Sequence, residues 1–551
     1  MKKIIFILGL AAVVLGTSCS DVLDLNPADR FSPATVWSTT TTADKYVIGL
    51  YSIFGANTEM RGGDAYASPR LSDAYSDILK STSWNQYNHN FNATLLQETA
   101  FNSNSAGAFE CWSSHYDRIR HENEFLRDAA EFGSKFGEDW LKIRIAEVRF
   151  CRAYAYFMLC RVYGGVILRT EVDGPEQNDK ARSTEEECWG FIINELKELA
   201  PDLPLKWDSD NSGRATQKAA YGLLSRVALY AEKWDVAAQA ARDCATAEGN
   251  LDLSENGYAK IFELGINSPE VLFAVEFKSS VIDHAYDAYV RPSGDTKELG
   301  KQVYSGFVPT SELVDSYEMA GDGGNFSWEK YGKDPYANRE PRFYATILYN
   351  GADWMGRKIE SFVGGKDGYK AYENAGAAGT TVTGYYLRKY LIDGDKTWVT
   401  SGSGQDWIVL RYAEVLLNKA EALAMENWNK NSAEALQALN DVRARVGLPA
   451  RATADKETFL EYVRHERKVE LAGEGFRYWD LRRWRLAEKV IDGQNVHGVK
   501  ISKQSDGSFT YEQVDADGGH KRIFYDRYYR FAIPLSERSN NSLCTNNDGW
   551  I

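Results

Sequence analysis

Apolar residues recur at helical spacing through two long parts of this chain, and polar, aromatic-rich stretches lie between and around them. An apolar pattern from Asp44 to about Phe54 predicts a first short helix. Trp112, Tyr116, Ile119, Phe125 and Leu126 share one face of a second, and Leu141 to Tyr163 reads as a strong helix stopped by Gly164-Gly165. Ser183, three residues before Glu186, offers a capping box for a helix that runs to about Leu199, ahead of Pro201. Two helical pairs follow, Ala215–Glu232 with Trp234–Ala247 and Ile408–Ala424 with Ser432–Val446, and then a helix at Lys456–Ala472. Small residues such as Ala219, Ala220, Ala228, Ala237 and Ala241 recur where the first pair must pack closely.

The first pair is similar to one tetratricopeptide hairpin, and hairpins scattered along a chain imply an α-solenoid-like frame. Two regions break the helical period. Residues 55–107 are polar and aromatic with little periodicity. Residues 250–405 are rich in Gly and Tyr and carry short β-like runs, Val271–Val275 and Ala345–Tyr349. The expected fold is therefore mostly α. A helical scaffold spans about 108–249 and 406–490, loop-rich ligand-side regions span 55–107 and 250–405, and a loop and strand tail spans 491–551. Long ordered loops on a rigid frame are where binding residues gather.

The N-terminus changes the picture more than the composition does. Lys2 and Lys3 precede an apolar run from Ile4 to Leu15, and Leu15-Gly16-Thr17-Ser18-Cys19 leads into polar Ser20-Asp21. This predicts a signal peptide over residues 1–18 and acylation of Cys19, which anchors a mature body of 19–551 to a membrane surface. The place three before the Cys holds Gly16 rather than an apolar residue, so plain secretion is the alternative. No later stretch is apolar enough to span a bilayer. The other cysteines, 111, 151, 160, 188, 244 and 544, form no C-x-x-C pair and read as buried thiols.

Among 551 residues, 78 Asp and Glu against 64 Lys and Arg give a net charge of −14, which disfavours nucleic acid as a partner. The aromatic surplus, with 15 Trp and 32 Tyr, suits a protein that stacks flat apolar faces on a ligand.

Several motifs, taken in order, carry a resemblance. They are Ser18–Asp24, Ala146–Tyr154 with Tyr163-Gly164-Gly165-Val166, Gly213–Thr216, Pro309–Asp315, Asn338–Arg342, Leu410–Leu417, Val442–Arg445, Glu466–Ala472 and Gly475–Trp484. The chain resembles the SusD/RagB (SusD-like) lipoproteins over nearly its full length. The resemblance implies a lipid-anchored protein exposed on the outer-membrane surface. It would capture a nutrient glycan, or less often a peptide, as a hinged lid on a SusC-like TonB-dependent transporter. It implies a mostly helical fold with tetratricopeptide-like pairs and no enzymatic activity, and no cofactor or metal is expected.

Glycan capture needs aromatic faces beside amide, carboxylate and guanidinium groups. The best local collection is Arg70, Asp73, Trp84, Asn85, Tyr87 and Asn88, where no apolar period accounts for the tryptophan. A gap-filling Trp84 and a surface ion pair of Arg70 with Asp73 are the structural alternatives. A second collection is Tyr331, Tyr336, Trp354 and Arg357, with core packing the leading alternative for Trp354. Trp398 and Trp407 stay open. Trp112, Trp189 and Trp234 belong to helical faces. Trp479 and Trp484, among Arg477, Arg482 and Arg483, read as a structural knot of stacking and ion pairs. His121-Glu122 begins like a zinc-protease helix, but Phe125 stands where the second His belongs. Asp515–Gly518 lacks the later Glu of a calcium loop. A glycoside hydrolase, needing only two carboxylates across a cleft, remains the competing class.

Overall fold

The computed structural model describes residues 32–56, 71–82, 101–172, 174, 179–372 and 380–550. The helices that carry the frame are α1 (Thr40–Leu50), α2 (Trp112–Phe132), α3 (Glu138–Tyr163), α4 (Glu185–Leu199), α5 (Gln217–Tyr230), α6 (Trp234–Thr246), α7 (Tyr412–Arg445), α8 (Lys456–Glu470) and α9 (Arg477–Arg483). From α2 to α8 each helix packs against the next in chain order, the arrangement the hairpin pattern predicts. The fold is mostly α.

Helix α3 lies at the centre. Phe150, Ala153, Tyr156, Phe157 and Leu159 are all buried, so it is enclosed on most sides rather than on one stripe. It stops where its sequence says it should. Gly164 adopts φ +76°, and a Cβ on Gly165 would lie 2.3 Å from the Ser183 carbonyl oxygen, so the chain can pass there only without a side chain. The same contact moves the next cap by one residue. The Ser183 N–H donates to the Val166 carbonyl at 2.8 Å, and Thr184 with Glu187 forms the capping box of α4 in place of Ser183 with Glu186.

The second pair reads differently from its sequence. Ile408–Leu410 belongs to a strand, not to the following helix. That strand, β8 (Trp407–Arg411), pairs antiparallel with β2 (Val271–Val275) and is buried along its length. A short apolar run buried all round has no period to distinguish strand from helix. Helix α7 then runs on to Arg445, with one non-helical residue, Asn427, dividing it where two helices are expected. The Asn427 side chain accepts the N–H of Lys430 and caps the second half.

The remaining strands form four further antiparallel pairs. These are β1 (Leu79–Ser81) with β3 (Phe307–Pro309), β4 (Ile347–Leu348) with β7 (Tyr386–Leu387), β5 (Asp353–Trp354) with β6 (Arg357–Lys358), and β9 (His497–Lys503) with β10 (Phe509–Asp515). The six cysteines within the described residues are buried free thiols.

Candidate functional site

The motif residues from distant parts of the chain meet in one buried charge network. Arg411, at the end of β8, reaches Glu474 at 2.6 Å, Glu470 at 2.7 Å and Glu270 at 2.9 Å. Glu470 also meets Arg445 and, at 3.0 Å, Arg342. Arg342 pairs in turn with Glu340 and Glu466, and Arg443 joins Glu466 to Glu318. Burial raises a carboxyl pKa, but Arg445, Arg411 and Arg342 outweigh it and hold Glu470 well below the usual carboxylate range. Glu474 is held low in the same way by Arg411 and Lys389. Carboxylates locked as anions between guanidinium groups are poor proton donors, and their role here is to tie β8, α7 and α8 together.

A second knot joins the last motif. Arg483 grips Glu421 through two bonds of 2.5 and 2.8 Å, and the Trp484 indole N–H donates to the same carboxylate at 2.8 Å. Arg467 pairs with Asp480 at 2.8 Å, and Arg477 with Asp77 at 2.8 Å. Arg161 and Arg482 lie 4.1 and 4.7 Å from the Trp479 ring centre. This is the stacking and ion-pair knot its composition suggests.

Of the residues expected to contact ligand, Arg70, Trp84, Asn85, Tyr87 and Asn88 lie outside the described residues, as does Cys19. The other two are corrected by their surroundings. Asp73 is fully buried, and its carboxylate accepts the backbone N–H groups of Gly473, Gly475 and Arg477 at 2.9, 3.1 and 2.9 Å. It is a clamp on the turn before α9, with no oxygen facing solvent. Trp354 is also fully buried, its indole N–H donating to Asp295 at 3.0 Å and the Arg291 guanidinium 5.1 Å from its ring. Arg357 pairs with Asp295 and Asp367 beside it, each at 2.7 Å. Tyr336 packs on Tyr349, and Trp398 and Trp407 are buried. No local signal separates Asp73 from a ligand-facing aspartate, because its partners lie some 400 residues away.

What the structure does define is the frame of the 83–100 segment. On its N-terminal side β1 pairs with β3, the Thr82 N–H donates to Gly306 at 2.9 Å, and Lys80 is buried against Asp517 at 2.6 Å. Asp517 also binds Arg522, and Asp515 accepts from the Asn495 amide and the Asp517 and Gly519 N–H groups, which commits the acidic 515–518 turn to protein donors. On the C-terminal side Phe101 is buried against Phe531 and Tyr528, with ring centres 4.5 and 5.1 Å apart. The flanks of the segment, Leu79–Thr82 and Phe101, are therefore both fixed to the rigid body.

Cavities lined by the described residues include two, one at the helical frame and one at the 250–405 region. An open one of about 440 Å³ sits at the edge of the 250–405 region, lined by Phe277, Lys278, Asp287, Tyr390, Asp395 and Gln405 among others. The other, of about 290 Å³, lies between the helices beside the Trp479 knot. No group of three or more His, Cys, Asp and Glu that could hold a metal is present among the described residues.

Comparison with known proteins follows the same residues. The family model described as "SusD family" matches residues 269–550, and one described as "Starch-binding associating with outer membrane" matches residues 21–229. The chain belongs to the SusD family. A SusD-like protein of Bacteroides ovatus is 25% identical over 547 residues, covering 94% of this chain and 90% of the relative. The SusD-like protein P38 of Formosa agariphila is 25% identical over 517 residues, covering 89% and 94%. Among solved structures, a SusD-like protein of Bacteroides fragilis superposes with a TM-score of 0.79 at 27% identity, covering 94% of this chain and 98% of that one. A "Laminarin binding SusD-like protein" superposes at 0.66 with 22% identity, covering 93% and 99%, a likeness of fold. In this SusD-family chain the motifs within the matched 269–550 segment supply Glu340, Arg342, Arg411, Arg443, Arg445, Glu466 and Glu470 of the buried network, so these residues account for the frame. No helix among the described residues is long and apolar enough to cross a membrane.

Proposed function

We propose that this chain is a non-catalytic, cell-surface glycan-binding lipoprotein. It is anchored to the outer membrane through acylated Cys19 and delivers its glycan as a hinged lid to a SusC-like TonB-dependent transporter. The observation that carries this reading is the match of residues 21–229 to a model described as starch-binding and associating with the outer membrane. Solved relatives of the same fold include one titled a carbohydrate-binding protein and one titled laminarin-binding. The charge network supports the absence of catalysis, since its carboxylates are paired with guanidinium groups rather than poised across a cleft.

The proposed contact surface is the segment framed by Thr82 and Phe101. Trp84 and Tyr87 would offer stacking faces there, Asn85 and Asn88 hydrogen bonds to sugar hydroxyls, and Arg70, ahead of β1 in the chain, a further donor. The test is a glycan-array screen of protein lacking residues 1–19, with recovery of the full-length protein from membranes to find its transporter. Saturable binding to one polysaccharide class and co-isolation of a TonB-dependent transporter are expected. Binding to peptides alone, or cleavage of the bound glycan, would contradict the reading.

A further inference from the structure

The smaller cavity has a charge balance unlike the rest of the molecule. Six arginines line it, Arg161, Arg464, Arg482, Arg483, Arg485 and Arg530, against the carboxylates of Glu185, Glu232 and Glu421. Some of these cations are matched. Arg530 pairs with Glu185, Arg483 with Glu421, and Arg464 with Glu461. Arg161 and Arg482 are not: among the described residues no carboxylate lies within ion-pair distance of either. Arg482 is only 4% exposed. It donates to the Tyr529 carbonyl at 2.8 Å and at 3.5 Å to that of Arg161, and its Nε has no hydrogen-bond partner. Arg161 donates to the Met158 sulfur at 3.2 Å, and its Nε is likewise buried without a partner.

Burying a guanidinium without a counter-charge is costly, and placing a second beside it adds repulsion. Burial, with Arg530 and Arg161 nearby, draws the Arg482 pKa down to about 10. Elsewhere this fold surrounds buried guanidinium groups with carboxylates, as at Arg342 and Arg411. Arg339 also lacks one, but carbonyls of Pro335, Val314 and Tyr317 take its terminal nitrogens and it lines neither cavity. At Arg161 and Arg482 the unmatched charge faces a cavity. That cavity also has half-buried indoles at Trp234 and Trp484, and a buried one at Trp189. Its volume of about 290 Å³ is at the small end of ligand pockets and suits one ring rather than a chain.

We propose that this cavity binds an acidic sugar residue, its carboxylate or sulfate ester against Arg161 and Arg482 and its ring against the Trp234 and Trp484 faces. The anion follows from the unmatched guanidinium groups. The sugar rests on the glycan-binding reading above, and the lining residues of this cavity all come from outside the 83–100 segment.

The test is titration of the full mature chain with glucuronic acid, glucose 6-sulfate, glucose and inorganic sulfate, followed by calorimetry and tryptophan fluorescence. Both acidic sugars should bind saturably and glucose at least tenfold more weakly. Arg161→Gln should weaken the acidic sugars at least tenfold without changing the unfolding midpoint. Should that variant fail to fold, Trp234→Ala on the rim replaces it, with at least tenfold weaker sugar binding expected. Failure of both acidic sugars to bind, equal binding of glucose, or inorganic sulfate binding as tightly as glucose 6-sulfate (an adventitious ion only) would overturn the proposal. Trp84→Ala separates the two readings. Polysaccharide binding lost while acidic monosaccharides still bind assigns the two ligands to two sites, and monosaccharide binding lost in that variant contradicts a separate cavity.

Discussion

The carboxylate of Asp73 accepts the backbone N–H of Gly475 at 3.1 Å, while its neighbours Gly473 and Arg477 donate to the same side chain. One buried aspartate thus fixes the turn that launches α9 from the far end of the sequence. Asp73→Ala leaves three buried donors without an acceptor, and a loss of about 3 kcal/mol of stability is expected. Asp73→Asn keeps one acceptor oxygen and should lose less. Urea unfolding of the two variants checks this, and midpoints equal to the wild type would refute the clamp.

Glu122 gives a pH dependence of defined sign. It is fully buried on α2, neither carboxylate oxygen has a hydrogen-bond partner, and burial pushes its pKa up to about 8 despite Arg152 and Arg118. The folded state therefore holds this proton more tightly than the unfolded chain, where the value is 4.5. The contribution is fully present below pH 4.5 and is lost as pH rises through 8, at about 1.4 kcal/mol per unit. Glu122→Gln removes it. The variant should gain on the wild type steadily from pH 5 to 8 in denaturant unfolding, with no further gain above. Parallel curves would show that Glu122 is not protonated in the fold.

Glu474 is the shared partner of Arg411 and Lys389, both buried. Burial already lowers the Lys389 pKa to about 8 against the pull of Glu474. Glu474→Gln should cost about 3–5 kcal/mol, the range for breaking a buried ion pair from one side. Adding Lys389→Met should restore part of that loss, because the orphaned ammonium is then removed. Thermal unfolding of the single and double variants reads the coupling, and strictly additive losses would refute it.

Much of the frame was legible because its signals are local. The period of Leu141–Tyr163 and its glycine stop define α3, and an S/T-x-x-E pattern announces α4, although the Val166 contact shifts the cap from Ser183 to Thr184. Ile408–Leu410 was ambiguous because a fully buried short run looks alike in strand and helix, and its partner strand lies at 271–275. The clamp role of Asp73 was not legible at all, and for Trp354 core packing was the leading alternative but its partner was not visible. Each is decided by groups far away in sequence, Gly473 to Arg477 in one case and Asp295 in the other. The charge of the Trp479 cavity was visible as a run of arginines, but which of them lack carboxylates is a property of the packing.

The most direct test of the glycan-binding account is a calorimetric titration of the polysaccharide retained in the array screen. Wild type and Trp84→Ala are compared, and the polysaccharide is sized before and after. The account predicts saturable binding by the wild type, affinity reduced at least tenfold in Trp84→Ala with an unchanged unfolding midpoint, and polysaccharide of unaltered length. Equal affinity in the variant would remove the 83–100 segment from the site, and shortened polysaccharide would contradict a non-catalytic lid.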